Sequence, residues 1–419
     1  MRCFCYNLWN SHQGWGRDVK LERITRDLVH CAPLPDWVDY HPYRSDIPDT
    51  EVSCVANGAC RLLSDLQVNL RQPEQAWHCR TVQRVLTRKG AQRVAHVVAE
   101  FDPGFQRIEV HFVSVVRGGE RIEHARPEAF QLLRRETNLE RLIFDGRLTA
   151  SLLIPDVRIG DVVETGVTVY GGAPVLGGLF TGWFAFDSSN PWFESRQRLL
   201  RPRSRRIFTK EFNNPPERHV AEDGEMEDSR WKVVGQQRSE PEALTPPWLI
   251  LNPAVQFSEF ESWNDVARLL APFYEGDAFP EALAEEVNRL AAAHQDPAER
   301  AVEWLRFVQQ ELRYFAFSLG EGGLTPRKLE AIWSTRLAIA RMRPHSMRLA
   351  HDSWAWIHVL RWSRPHTDSP SMMSYRVRAS SIIASFACVW MGRTTGLIQP
   401  CRSSQAAFRT FSSRMPGGR

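Results

Sequence analysis

Along this chain the spacing of apolar residues changes once, near residue 259. Before that point apolar and polar positions alternate in short runs. Ile108, Val110 and Phe112 alternate with Glu109 and His111, which predicts a strand with one buried face. Thr81–Leu86 and Val94–Glu100 are rich in β-branched residues, and Val157–Tyr170 alternates around Gly160-Asp161. Further strands are expected at Trp183–Phe186, Glu194–Leu200, Arg206–Phe212 and Arg230–Val234. Arg117-Gly118-Gly119-Glu120 signals a hairpin, and Asp145-Gly146 signals another between Leu142–Phe144 and Leu148–Ile154. Short helices are expected at Val19–Val29 and at Pro127–Glu136. Many short strands divided by turns predict an antiparallel β-sandwich domain over residues 46–237, after an irregular N-terminal segment, residues 1–45.

Residues 238–258 hold four prolines and read as a linker. Beyond them the period becomes helical. Ser262 can cap a helix through Val266 and Leu269. Pro280 opens a stretch with Leu283, Val287 and Leu290 on one face. Asp296-Pro297-Ala298-Glu299 is a capping box that opens a helix carrying Val302, Leu305, Val308 and Leu312. A second domain is therefore expected to begin at residue 259.

Composition is globular, with 43% hydrophobic and 24% charged residues, and 419 residues suffice for two or three domains. The longest apolar stretch near the end, Ile382–Gly392, is far below the roughly 20 residues of a membrane-spanning helix. Residues 1–20 lack a basic start followed by an apolar core, so no export signal is read and localisation stays open. Charge is divided sharply. Residues 337–419 hold 12 Arg, no Lys, 2 Asp and no Glu, a net of +10, whereas residues 1–336 carry −6. No cysteine lies between Cys79 and Cys388, and Cys3, Cys5, Cys54 and Cys60 fit no standard zinc spacing. Neither a disulfide framework nor a metal or other cofactor is expected.

Several stretches occur in a telling order: FDPGFQRIEVHFVSVVRGGERIE, FDGRLTASLLIPDVRIGDVVE, the Pro-Pro-Trp linker, SWNDVARLLAPFY, and finally FVQQELRYFAFSLGEGGLTPRKLEAIWSTR. In this order they resemble bacterial proteins in which a domain of unknown function, DUF3857, precedes a transglutaminase-like core. The resemblance runs from about Pro35 to Arg336. It implies a multi-domain chain: an antiparallel β-sandwich followed by the helical N-terminal part of an α+β, papain-like core over residues 259–336. It also implies acyl transfer or amide hydrolysis through a cysteine thioester, on a protein or peptide substrate, with no cofactor. Relatives often enter the bacterial envelope. In that family Gly-Asp-Cys-Lys-Asp follows the counterpart of Arg336, and the cysteine is the nucleophile of a Cys-His-Asp triad at a helix N-terminus. Here Arg336 is followed by Leu-Ala-Ile-Ala-Arg-Met, so no catalytic residue can be assigned.

The loss of the motif coincides with the charge break. Read two bases later, codons for Leu337–Met342 permit Gly-Asp-Cys-Lys-Asp. Met372-Met373 is forced to Asp and Trp390-Met391-Gly392 to Asp-Gly, because Met and Trp have single codons. A Phe-Asn-His reading near Ser380–Ile383 and Asp-Pro-Thr near Leu397–Pro400 complete the family order. Residues 337–419 are thus expected to be an out-of-frame tail that is disordered or poorly folded, and the partial core to expose the apolar faces of its helices. The competing reading is a genuine basic tail. Because a nucleic-acid arm usually mixes Lys with Arg and lacks this tail's tryptophans, no nucleic-acid partner is expected.

Other candidates follow. Arg158, Gly160 and Asp161 are the most specific positions of the β domain, with a turn-forming role favoured over ligand binding. His78 and Cys79 are adjacent on a strand and point to opposite faces, so they cannot pair as base and nucleophile. His111 is read as a polar-face residue. Tyr314, Gly320 and Trp333 are substrate-cleft candidates of the second domain, the two aromatics otherwise being core. The alternative to an incomplete enzyme is a non-catalytic β-sandwich interaction module.

Overall fold

The computed structural model describes residues 28–45, 55–71, 74–134, 143–144, 146–186, 192–235, 249–274, 280–314, 316–317 and 328–338. These fall into two units, one ending at Ala271 and the other starting at Pro272.

In chain order the strands of the first unit are β1 (Val29–Cys31), β2 (Val55–Ala56), β3 (Ala59–Asn69), β4 (Ala76–Val85), β5 (His96–Phe101) and β6 (Arg107–Arg117). There follow β7 (Glu120–Glu123), β8 (Gln131–Arg134), β9 (Ile143–Phe144), β10 (Leu148–Leu153), β11 (Val162–Tyr170) and β12 (Thr181–Ala185). The last are β13 (Glu194–Pro202), β14 (Phe208–Phe212), β15 (His219–Asp223), β16 (Met226–Val234) and β17 (Ala254–Ser258). A ten-stranded sheet runs β1-β6-β11-β4-β3-β13-β16-β15, with β2 beside β3 and β7 beside β6. Two smaller sheets run β5-β10-β8 and β12-β17-β14.

Both small sheets pack on the same face of the large one. Val85 lies in the core shared with Phe101, Ala150 and Leu152, and Trp77 packs on the core of Phe184, Val255 and Trp231. Trp77 and Val85 are eight residues apart on β4, and even spacing on a strand keeps side chains on one face. The opposite face carries the alternate residues His78, Arg80 and Val82.

The expected antiparallel sheet is in fact mixed. β1 pairs with β6, and β13 with β3, in parallel. Nine strands separate β3 from β13 in the chain, so no short turn constrains their relative direction. The Arg117–Glu120 hairpin forms, with Gly118 and Gly119 at φ 57° and 87°. The Asp145-Gly146 hairpin does not: β10 pairs instead with β5 and β8 and is buried along most of its length. The helix expected at Pro127–Glu136 is a single 3-10 turn, Pro127–Ala129, followed by strand β8. Between the expected strands Thr81–Leu86 and Val94–Glu100 lies helix α1 (Arg88–Val94), which takes Val94 and is capped by the Thr87 hydroxyl, which accepts from the Gly90 amide at 3.0 Å. Gly90 is required there, because a Cβ would sit 1.9 Å from the Gly58 carbonyl oxygen. The expected linker ends inside the β unit. Ala254–Ser258 is the central strand of its sheet, and Glu259 next to it accepts from Arg205 Nε at 2.9 Å. Its alternating Val255 and Phe257 are buried, as is Ala254, and this signal outweighs the prolines before it. Helix α2 (Trp263–Leu270) closes the unit with a Ser262–Asp265 capping box.

The second unit comprises α3 (Glu281–Ala293), α4 (Pro297–Glu311), β18 (Arg313–Tyr314), β19 (Ala316–Phe317), α5 (Leu329–Thr335) and β20 (Leu337–Ala338). The helices do not expose their apolar faces as expected. Leu283, Val287 and Leu290 of α3 meet Trp304 and Val308 of α4 and Leu329 and Ile332 of α5 in one buried cluster. Leu337–Ala338, the first residues of the expected out-of-frame tail, pair in parallel with Arg313–Tyr314. The remainder of that tail lies outside the described residues, as does the helix expected at Val19–Val29 except for its last two residues, of which Val29 opens strand β1 instead. Among the described residues no helix is long and apolar enough to cross a membrane.

Candidate functional site

The uncovered-by-sheet face of the large sheet is polar. Alternation brings Asp65 and Gln67 of β3, His78 and Arg80 of β4, Glu164 and Thr168 of β11, Arg198 of β13 and Asp228 and Arg230 of β16 to that side. A strap without regular secondary structure, Ala32–Arg44, lies across it. The strap leaves β1 with the Ala32 amide donating to Val110, turns through a Val38-to-Pro35 hydrogen bond, and then runs back.

On the return the sheet grips the strap's main chain at alternate residues. Arg198 Nη1 donates to the Trp37 carbonyl at 2.6 Å. Gln67 closes a two-way pair with Asp39, accepting its amide at 2.9 Å and donating to its carbonyl at 2.7 Å. Arg80 Nη1 donates to the His41 carbonyl at 2.5 Å. These three residues stand on adjacent strands β13, β3 and β4, and an extended chain advances by about 6.6 Å every two residues, close enough to the ~4.8 Å strand spacing for a diagonal crossing. Side chains add to the grip. The Tyr40 hydroxyl donates to Glu164 at 2.7 Å, and its ring lies 3.7 Å below the Arg80 guanidinium. Asp39 pairs with Arg230 at 2.7 Å, and Trp37 meets His78 edge-on.

Beneath the strap, Arg80 and Glu164 are fully buried and joined through both Nε and Nη2 at 2.7 Å. Arg121 closes on the other carboxylate oxygen. Beside them His111 Nδ1 bonds the Ala32 carbonyl at 3.1 Å, which can only accept, so that nitrogen carries the proton. His111 Nε2 then accepts from the Thr168 hydroxyl at 2.7 Å, and that hydroxyl accepts from His78 Nδ1 at 3.0 Å. Burial, and then the neighbouring His111 and Arg80, push His78 down to about 3. Both rings are therefore neutral near pH 7, and the relay fixes structure without carrying charge. Burial also raises Asp65 to about 6, against the Gln67 hydrogen bond and the Arg80 charge.

Arg158, Gly160 and Asp161 form the turn entering β11. Asp161 is buried and accepts from the Arg158 amide at 2.7 Å and from Arg117 Nε and Nη2 at 2.8 and 2.7 Å. Gly160 has φ 94°, and the exposed Arg158 side chain pairs with Asp156. None of these contacts reaches the strap-covered face. Cys79 is solvent-exposed on the sheet-covered face, while the sheet around it and the Asp65 carboxylate push its thiol up to about 11. In the second unit Trp333 stacks on Phe307 and carries the Arg336 guanidinium 3.6 Å from its ring centre. It borders a small apolar pocket with Trp304, Leu283, Val308, Leu312 and Ile332. Gly320 and the Tyr314 side chain lie outside the described residues. Among the described residues no group of His, Cys, Asp and Glu could hold a metal. Sequence reasoning missed the strap and its polar floor. The signal available was polar residues at both parities of β4 and β13, which a sheet with one solvated face does not need.

Residues 73–235, strands β4 to β16, match the family model described as "Domain of Unknown Function with solved-structure structure (DUF3857)". A DUF3857 domain is present here. The strap, β3 and Gln67 lie just before the matched DUF3857 residues. No curated protein matches the chain. A proposed protease of Parabacteroides distasonis has a similar fold, with TM-score 0.58 and 11% identity over 71% of this chain and 59% of that one. The chain thus spans about three-fifths of that protein. An M1 zinc metallopeptidase of Deinococcus radiodurans matches 56% of this chain and 53% of its own at 9% identity, but with TM-score 0.25, too low to bear on the fold.

Proposed function

We propose that this chain is a catalytically incomplete member of the transglutaminase-like cysteine acyltransferase or amidase class, whose working part is the β unit acting as a protein-binding module. The observation that carries the first half is the chain after Arg336. The resemblance calls for Gly-Asp-Cys there, whereas the sequence reads Leu-Ala-Ile and offers no cysteine before Cys388. Leu337–Ala338 pairs its backbone with β18 but brings no thiol. Exposed Cys79 has its thiol raised, the opposite of an activated nucleophile. The binding reading is supported by the strap contacts, in which the sheet recognises an extended chain. A frameshift after Arg336 accounts for the lost motif and for the charge break together.

Two measurements test this. Iodoacetamide labelling followed by peptide mapping is expected to find no rapidly modified cysteine, and amine incorporation into a glutamine peptide is expected to be absent. Rapid stoichiometric labelling of one cysteine, with turnover, overturns the reading. Sequencing genomic DNA across codons 330–345 is expected to reveal a missing or extra base relative to an intact reading frame. Codons that agree with the present chain remove the frameshift and leave a genuine new tail.

A further inference from the structure

The strap is held in an unusual way for a permanent cover. The two small sheets rest on apolar side chains, Val85 and Val163 in one case and Val68, Leu199 and Trp231 in the other. Such faces cannot stand in water and need lasting covers. Residues 36–41 of the strap instead rest chiefly on Gln67, Arg80, Glu164, Arg198 and Arg230, and only further on does Tyr43 pack on the apolar cluster of Leu62, Leu63, Val82 and Phe193. A floor of this kind can be rehydrated when its cover leaves. Its grip is also mostly on main-chain atoms, at the Trp37, Asp39 and His41 carbonyls and the Asp39 amide, and main-chain atoms are common to any extended peptide. Within residues 36–41 the side chains read by type are Trp37, against His78, Asp39, by Arg230, and Tyr40, by Glu164 and Phe112.

We propose that this polar face is a recognition site for a peptide that leaves a turn and runs on extended, with an aromatic–x–acidic–aromatic pattern, on a partner protein, and that residues 36–41 are its resident, displaceable occupant. The inference rests on reading the β unit as the working part of the chain. Gln67 and Arg198 set the peptide's register, and the Arg80–Glu164 pair receives the tyrosine. The strap then acts as an intramolecular competitor, so that a partner binds only as the strap leaves. Because its attachment to β1 keeps it close, a partner must overcome a high effective concentration.

The test uses the full chain with specific protease sites inserted after Cys31 and after Asp46, which free the strap from β1 as well as from the chain that follows it. After cleavage, a fluorescent peptide of residues 32–45 is added and anisotropy followed. The expected result is saturable exchange with retained near-UV circular dichroism. Binding falls at least tenfold for the Tyr40→Ala peptide and at least tenfold for the Gln67→Ala protein. An unrelated peptide carrying Trp-x-Asp-Tyr is expected to compete, and a scrambled one is not. A strap that never exchanges, a cleaved protein that loses its near-UV spectrum, or binding indifferent to Tyr40→Ala overturns the proposal. These outcomes are separate from the thiol-labelling test, whose failure would remove the reading of an incomplete enzyme instead.

Discussion

Replacing Glu164 by Gln is expected to be among the most damaging single changes in the β unit. Glu164 and Arg80 are fully buried, with Arg80 Nε donating to Glu164 Oε1 at 2.7 Å and Nη2 lying 2.7 Å from the same oxygen. Gln keeps the shape but removes the charge. Arg80 would then hold its charge out of water with the His41 carbonyl and the Tyr40 ring as its remaining close partners on the strap. Breaking a buried pair from one side costs about 3–5 kcal/mol, much of a typical domain's ~5–15 kcal/mol. Because the chain has two units, the readout must be local. Native-state amide exchange at Val82 of β4 and Val163 of β11 reports the opening free energy of the sheet itself. The same reasoning expects near-neutrality when the buried charges and the Tyr40 hydroxyl leave together, as in Arg80→Met with Glu164→Leu and Tyr40→Phe, because the half-exposed Arg121 can turn back to water. A Glu164→Gln loss under about 1 kcal/mol, or a triple variant worse than the single one, would refute the view that unpaired burial sets the cost.

Asp65 has a raised native value of about 6 against an ordinary 3.8, so the folded state binds the extra proton between these values. Stability contributed by the protonated form is present below about pH 4 and is lost as pH rises through 6, by an amount on the order of 3 kcal/mol at most. Asp65→Asn is expected to flatten that slope in urea titrations at pH 4–7, and an unchanged slope would count against it. Cys79 alkylation is expected to be slow at pH 7 and to rise about tenfold per pH unit until the thiol titrates, as followed by mass spectrometry; a plateau below pH 9 would contradict its raised value. Trp304, buried at the centre of the helical unit, is expected to cost about 3–5 kcal/mol when replaced by Ala, read as a lower thermal midpoint of that unit alone.

The sequence by itself determined what depends on neighbours a few residues apart. Gly118-Gly119 permits φ values that other residues resist, so the β6–β7 hairpin was legible. The 3.6-residue spacing of Leu283, Val287 and Leu290 placed one face of α3 in a core, and Ser262 marked the start of α2. The turn of Arg158, Gly160 and Asp161 was also visible as a local pattern, although its Arg117 partner, 44 residues away, was not. Only the tertiary structure decided which strands became neighbours. The parallel β3–β13 pair joins residues more than 130 positions apart, and no local signal encodes such a choice. The same holds for β10, whose turn signal lost to burial between β5 and β8. It holds above all for the strap. Alternation along β4 says that His78 and Arg80 share a face, but not that Glu164, Gln67 and Arg198 will meet them there. The irregular segment from Ala32 to Arg44 has no period to read, because it is held by side chains of distant strands and not by a repeating backbone pattern.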